Sequence, residues 1–266
     1  MKALLIAAVL LSTSAHAGPG LKYEGPLAAG QSYTAYLVSY DSDGLTVHAM
    51  VAVPKSTAPK SDYPVVIANH GYVPDPRKYG ITADGIDSRP GDYYRSIPEL
   101  FTSRGFLVVL PDYRGHNSSM GFDQIENQNR ESIDAYSRDV IALLAKLDEV
   151  EFADTGRVFM WSHSMGGGVS MRVLLASNTV KAASFWATMN VDDLRDQFAA
   201  LDGPVIIQHS RGDQSTEYAN SKRLAEALAR IGHPVTLYSL DSDEHFFNGE
   251  MGEQAADRDV EFFLSH

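Results

Sequence analysis

The stretch RVFMWSHSMGGG, from Arg157 to Gly168, joins an apolar run ending at Trp161 to a glycine-rich segment that opens a helix at or just after Ser164. A serine on so sharp a strand-to-helix turn projects its hydroxyl clear of the backbone at the amino end of a helix. The residues two places to either side must be small, because strand and helix nearly touch there. Gly166 meets that need on one side. On the other, where the G-x-S-x-G pattern has its first glycine, this chain has Ser162, a departure by one small residue. Without chemistry, the same letters spell a serine N-cap before a helix. With chemistry, Ser164 is a nucleophile, and strands and helices should alternate around it.

They do so on both sides. Residues 33–39 and 45–54 alternate polar with apolar and are joined through a turn-forming segment at 41–44, which predicts an antiparallel hairpin at one sheet edge. Short, largely apolar runs follow at 65–68, 106–110, 158–161, 182–186, 205–207 and 235–238. Such runs suit strands buried on both faces, as in a parallel sheet. Between them, Ile133, Tyr136, Val140, Leu143, Leu144 and Leu147 recur at helical spacing, as do Leu224, Leu228 and Ile231, and Val260 and Phe263 point inward from a terminal helix. The pattern predicts an α/β protein with a doubly wound, mostly parallel sheet of about eight strands and helices on both faces. Ligands in such sheets gather beyond the carboxyl ends of the strands. The loops after the strands are where chemistry is to be sought.

A serine hydroxyl needs a base. His163 adjoins Ser164, but successive residues on a sharp turn point different ways, so it reads as structural. His245, in a loop after the last strand and before the terminal helix, falls at the same sheet edge as Ser164 and is the expected base. The base needs a carboxylate to hold its tautomer. Asp213, in the loop HSRGDQ after the run at 205–207, gives the chain order Ser164, Asp213, His245. Asp192 and Asp193 are weaker alternatives, and Asp241, Asp243 and Glu244 read as a solvated acidic loop. Two N–H groups should hold the oxyanion. One is that of Met165, after the nucleophile. The other is that of Tyr72, since Gly71 lets the backbone come close after the strand at 65–68. Tyr72, Phe122, Trp186, Met189, Phe246 and Phe247 lie near these strand ends and are candidates for a substrate pocket, with ordinary packing as the alternative for each.

Composition narrows the classes. The 266 residues contain 34 acidic and 22 Lys or Arg side chains, a formal charge of -12, which argues against a nucleic-acid or anionic-membrane partner. There is no cysteine, which excludes disulfides, cysteine-ligated metals and a cysteine nucleophile. The proposed chemistry requires no metal and no organic cofactor. The first residues, MKALLIAAVLLSTSAHA, carry Lys2, a short apolar run and small residues at Ala15 and Ala17. That is the pattern of a secretory signal over residues 1–17, too short to span a bilayer, and it predicts a secreted or periplasmic protein. No linker, repeat or low-complexity block divides the rest, so 18–266 is expected to form a single domain.

With these residues in view, the chain resembles the prolyl oligopeptidase and dienelactone hydrolase branch of the α/β-hydrolases. The resemblance runs from about Val65 to His245. It rests on His70-Gly71, on the run PDYRGH from Pro111 to His116, on SHSMGG from Ser162, and on Arg211-Gly212-Asp213. It implies an α/β-hydrolase fold and acyl transfer to water by Ser164, Asp213 and His245. The chain departs from those relatives in having no room for an N-terminal propeller, no cysteine nucleophile, and space for only one short helix between Trp186 and Pro204, hence no large cap domain there. These features favour a serine esterase acting on a small-molecule ester. A small peptidase or amidase acting on a short peptide through the same triad is the alternative, followed by a non-catalytic binding protein of the same fold.

Overall fold

The runs of β-branched residues become the centre of a nine-stranded sheet. The computed structural model describes residues 20–125 and 130–266, so the expected leader at 1–17 lies outside the described residues. The strands are β1 (Lys22–Leu27), β2 (Tyr33–Ser42), β3 (Leu45–Pro54), β4 (Tyr63–Asn69), β5 (Leu107–Pro111), β6 (Ala153–His163), β7 (Val180–Trp186), β8 (Val205–Ser210) and β9 (Val235–Leu240). The helices are α1 (Ser96–Thr102), α2 (Arg130–Leu144), α3 (Met165–Ala176), α4 (Tyr218–Arg230) and α5 (Gly249–Leu264). In space the strands run β1-β2-β3-β5-β4-β6-β7-β8-β9. From β5 to β9 all neighbours are parallel, while β1, β2 and β3 pair antiparallel.

Alternation along each strand sorts the core into two layers. Val65 and Ile67 of β4, Leu107 and Val109 of β5, and Val158 and Met160 of β6 face the side covered by α2, α3 and α4. Their neighbours Val66, Ala68, Val108, Leu110, Phe159 and Trp161 face α1 and α5. Side chains alternate across a strand, so both faces of these central strands are packed. The chain leaves β4 toward β5 on one side and returns to β6 on the other, which puts a topological switch point at the carboxyl end of β4. Among the described residues no helix is long and apolar enough to cross a membrane.

Four expectations change. The hairpin forms in register, Ser42 opposite Leu45, around Asp43 and Gly44, both at positive φ. It is not the sheet edge, because β1 lies outside it. The count is therefore nine strands rather than about eight. Gly25 and Pro26 hid β1, since both are rare inside strands, and β1 tolerates them as an exposed edge strand whose register shifts between Tyr23 and Gly25. Ile231 does not face the core: it follows the last turn of α4 and is 52% exposed. Leu147 is buried, but in a 3-10 turn (Leu147–Glu149) beyond α2. Between β7 and β8 only a 3-10 segment (Asp192–Ala200) intervenes, so no large cap is inserted there.

Candidate active site

Ser164 sits between the last residue of β6 and the first of α3, with φ 54° and ψ -121°. A residue with a Cβ is strained in that region, and strain of this kind persists only where surrounding contacts enforce it. Here they do. The Ser164 N–H donates to the Trp186 carbonyl at 3.0 Å, and the Ser164 carbonyl accepts from the N–H groups of Gly167 and Met189 at 2.9 and 3.1 Å. A Cβ on Gly166 would stand 2.1 Å from the Asn69 carbonyl oxygen, so glycine is obligatory on that flank. The other flank differs: the Ser162 hydroxyl is fully buried and donates to the Ser184 carbonyl of β7 at 3.1 Å. The departure from glycine is thus a side chain with a partner, not a clash.

His245, in the loop between β9 and α5, donates from Nδ1 to Asp213 Oδ2 at 2.7 Å. Its ring centre lies 4.5 Å from that of His163, the residue before Ser164, and its carbonyl accepts from His163 Nε2 at 2.9 Å. These contacts tie the loop of His245 to the residue before Ser164. Among the described residues neither Ser164 Oγ nor His245 Nε2 has a hydrogen-bond partner. Asp213 Oδ1 accepts the N–H groups of Ser215 and Thr216 at 2.7 and 3.1 Å. Burial pushes its acidity toward the neutral acid, but the bonds from His245 and those two amides outweigh it and hold the carboxyl below its usual range. Asp192 and Asp193 do not reach this group; they pair with Arg223 and Arg172.

One partner of Asp213 was not anticipated. His209 Nε2 also donates to Asp213 Oδ2, at 3.1 Å, while its Nδ1 accepts from the Ser221 hydroxyl at 2.6 Å. Burial lowers its pKa and keeps the ring neutral. Its signal was present in the loop HSRGDQ, four residues ahead of Asp213, but spacing alone does not say which side chains meet.

The N–H groups of Met165 and Tyr72 are both without a protein acceptor among the described residues. Gly71 lies against the turn, where a Cβ would come within 2.9 Å of Ser164 Cβ. Its carbonyl accepts from His70 Nδ1 at 2.8 Å. Carbonyl and amide of one peptide point opposite ways, so that bond also fixes the direction of the Tyr72 N–H. His70 is held in turn between the rings of Tyr79 and Tyr113, at 4.0 and 4.2 Å.

The pocket candidates divide. Trp186 is fully buried and donates from Nε1 to Asp259 Oδ2 at 2.8 Å, so it belongs to the core under α5. Asp259, itself buried, is raised to about 7 by desolvation. Phe247 is likewise wholly buried. Phe246 is packed against Tyr94, Tyr93 and His163, a support beneath the histidines rather than a substrate wall. Met189 stays partly buried beside the Ser164 turn, and Tyr72 is exposed. Phe122 lies under the Arg77 guanidinium, 4.1 Å away, in a cavity of about 510 Å³ formed with Asn117, Ser119 and Met120. None of Ser164, Asp213 and His245 lines that cavity. Among the described residues no cluster of His, Asp or Glu could hold a metal ion.

Comparison with known proteins agrees with this fold. A family described as serine aminopeptidase, S33, matches residues 75–190. An uncharacterised peptidase of Bacillus subtilis (strain 168), YtmA, is 25% identical, the match covering 82% of this chain and 88% of that protein. Dipeptidyl peptidase 4 of Porphyromonas gingivalis superposes with a TM-score of 0.69 at 18% identity over 89% of this chain, but only 36% of its own. Acetyl xylan esterase 1 of Thermoanaerobacterium sp. superposes with a TM-score of 0.66 at 15% identity, covering 93% of this chain and 88% of its own. The fold is that of the α/β-hydrolases, and the family match together with the Bacillus relative supports a serine hydrolase of the esterase and peptidase kind.

Proposed function

We propose that the chain hydrolyses carboxylic esters through an acyl-enzyme, with Ser164 as nucleophile, His245 as base and Asp213 as the acceptor that holds it. The observation that carries this reading is the 2.7 Å contact from His245 Nδ1 to Asp213, next to a serine held at φ 54°. With its Nδ1–H donated in a hydrogen bond to Asp213, His245 presents the lone pair of Nε2. It takes the Ser164 proton as Oγ attacks the ester carbonyl, and the imidazolium is stabilised by Asp213. The N–H groups of Met165 and Tyr72 receive the oxyanion, each contributing ~3 kcal/mol to lowering the barrier. The imidazolium then protonates the leaving alcohol. Water repeats the steps: His245 takes its proton, hydroxide attacks the acyl group, and Ser164 recovers its hydrogen as the acid leaves.

An ester substrate is supported by the acetyl xylan esterase, which shares 88% of its own length with this chain. The peptidase reading retains support from the family match and the Bacillus relative. We further propose export by the leader at 1–17 and a single domain thereafter, with no nucleic-acid or membrane partner. The deciding experiment is turnover of p-nitrophenyl esters of increasing acyl length beside aminoacyl anilides, with a serine-directed phosphonate as label. Ester rates well above anilide rates are expected. Comparable rates would select the peptidase, and a folded protein that takes no label would select a binding protein.

Asp213→Asn gives a sharper expectation. Because Oδ1 accepts two backbone N–H groups, the amide oxygen must stay there, and the NH2 falls at the Oδ2 position facing His245. His245 Nδ1 must then accept, its proton moves to Nε2, and it can no longer receive one from Ser164. A fall in kcat of about 10⁴ is expected with the protein still folded. A loss below tenfold would remove Asp213 from the proposed machinery.

A further inference from the structure

Tyr94 lies just ahead of α1 and is fully buried. Its hydroxyl oxygen accepts from the Gly71 N–H at 2.7 Å and lies 2.8 Å from His163 Nδ1. His163, also buried, has its other ring nitrogen, Nε2, 2.9 Å from the carbonyl oxygen of His245. A carbonyl can only accept, so the proton of neutral His163 resides on Nε2. Nδ1 is therefore an acceptor, and the Tyr94 O–H donates to it. Every bond in the series has one permitted direction: Gly71 N–H to Tyr94, Tyr94 O–H to His163, His163 N–H to the His245 carbonyl. The series requires a neutral His163, and burial, with the neighbouring His245 acting in the same direction, lowers its pKa to about 3.

The two ends of this series lie on the backbone beside or within the proposed machinery. Gly71 precedes Tyr72, the second oxyanion donor, and His245 is the base. Of the two inner members, His163 is covalently next to Ser164. Among the described residues no backbone hydrogen bond joins the loop after β4 to the loop after β9; the Tyr94–His163 pair supplies a link between them. We infer that Tyr94 and His163 are positioning residues that set the oxyanion donor and the base in register with each other across the nucleophile, without either touching substrate. This rests on the roles given above to Ser164, Tyr72 and His245. A link of this kind acts on the transition state, in which base and oxyanion donors must both be aligned, more than on ground-state binding.

The test is kcat and KM for p-nitrophenyl acetate, with thermal unfolding alongside, in Tyr94→Phe, His163→Leu, the double variant and His163→Gln, with Ser164→Ala as the blank. Each of the first two is expected to lower kcat about 10- to 100-fold with KM changed less than about threefold. The double variant should fall no further than the worse single, because either change cuts the same link. His163→Gln carries an amide oxygen and nitrogen spaced much as the two ring nitrogens are, and should recover most of the loss. Losses that multiply in the double variant would overturn the inference. So would wild-type kcat in Tyr94→Phe while Ser164→Ala is inactive, and that outcome leaves the triad standing. Turnover in Ser164→Ala would instead overturn the triad and the link with it. Tyr94→Phe keeps the ring and its packing, so it decides the matter by itself should His163→Leu not fold.

Discussion

Ser164→Ala is expected to lower kcat/KM for a p-nitrophenyl ester by about 10⁴- to 10⁶-fold, since removing the nucleophile leaves only substrate binding and the oxyanion donors at work. The fold should not notice. The Ser164 hydroxyl has no hydrogen-bond partner among the described residues, and the turn is held by backbone bonds to Trp186, Gly167 and Met189 that alanine keeps. Its melting temperature should stay within a degree or two of wild type, about the shift of a few tenths of a kcal/mol. Ser164→Gly removes the same hydroxyl and also relieves the φ of 54°, so it should be equally inactive yet more stable by roughly 1–2 kcal/mol. Steady-state kinetics and thermal unfolding of the two variants check both halves. Retained ester turnover in Ser164→Ala would remove the nucleophile from that position.

The strands that carry this site were legible because β4 to β9 are runs of β-branched and aromatic residues with polar loops behind them. Loop position then singled out Ser164, Asp213 and His245, which stand after three different strands of the same parallel sheet. What escaped the sequence depends on contacts between distant segments. Tyr94 meets His163 across 69 positions, and nothing in its neighbourhood distinguishes it from any other buried tyrosine. Trp186 was misread for a related reason. It lies at a strand end where pocket residues occur, yet strand alternation turns its indole to the α5 face and onto Asp259, a partner 73 positions away. Helix α1 was hidden by Pro98, which is tolerated in the first turn, where no intrahelical bond is lost. Local pattern thus fixes strands and the loops between them, while the side chains that bind those loops together emerge only once the sheet has formed.

The largest loss of stability is expected from Arg114→Met. The run PDYRGH contributes no group to the reaction, and the structure shows what its arginine does. Arg114 is almost wholly buried, and its Nη2 and backbone N–H each donate to the carboxylate of Asp139 in α2 at 2.7 Å. The same Nη2 also reaches Asp43, in the turn between β2 and β3, at 2.9 Å. One side chain thereby ties the loop after β5 to α2 and to the hairpin. Desolvation drives the Asp139 pKa up, and Arg114 provides the main opposing pull. Methionine fills the volume of the arginine stem but leaves Asp139 buried without its countercharge, a loss of about 3–5 kcal/mol. The pH dependence has a definite sign. In the variant the folded-state pKa of Asp139 rises further above its unfolded value of roughly 3.9. The folded state then binds more protons than the unfolded state, so the variant loses stability relative to wild type as pH rises above that unfolded value, until the folded pKa is passed. Adding Asp139→Asn removes the stranded charge while keeping an acceptor for the Arg114 backbone N–H, and should recover much of the loss. Urea unfolding at pH 5 and pH 8 measures all three proteins. A deficit under about 1 kcal/mol, the worth of a surface pair, or one that shrinks toward high pH, would mean that the Arg114–Asp139 contact does not hold these three segments together.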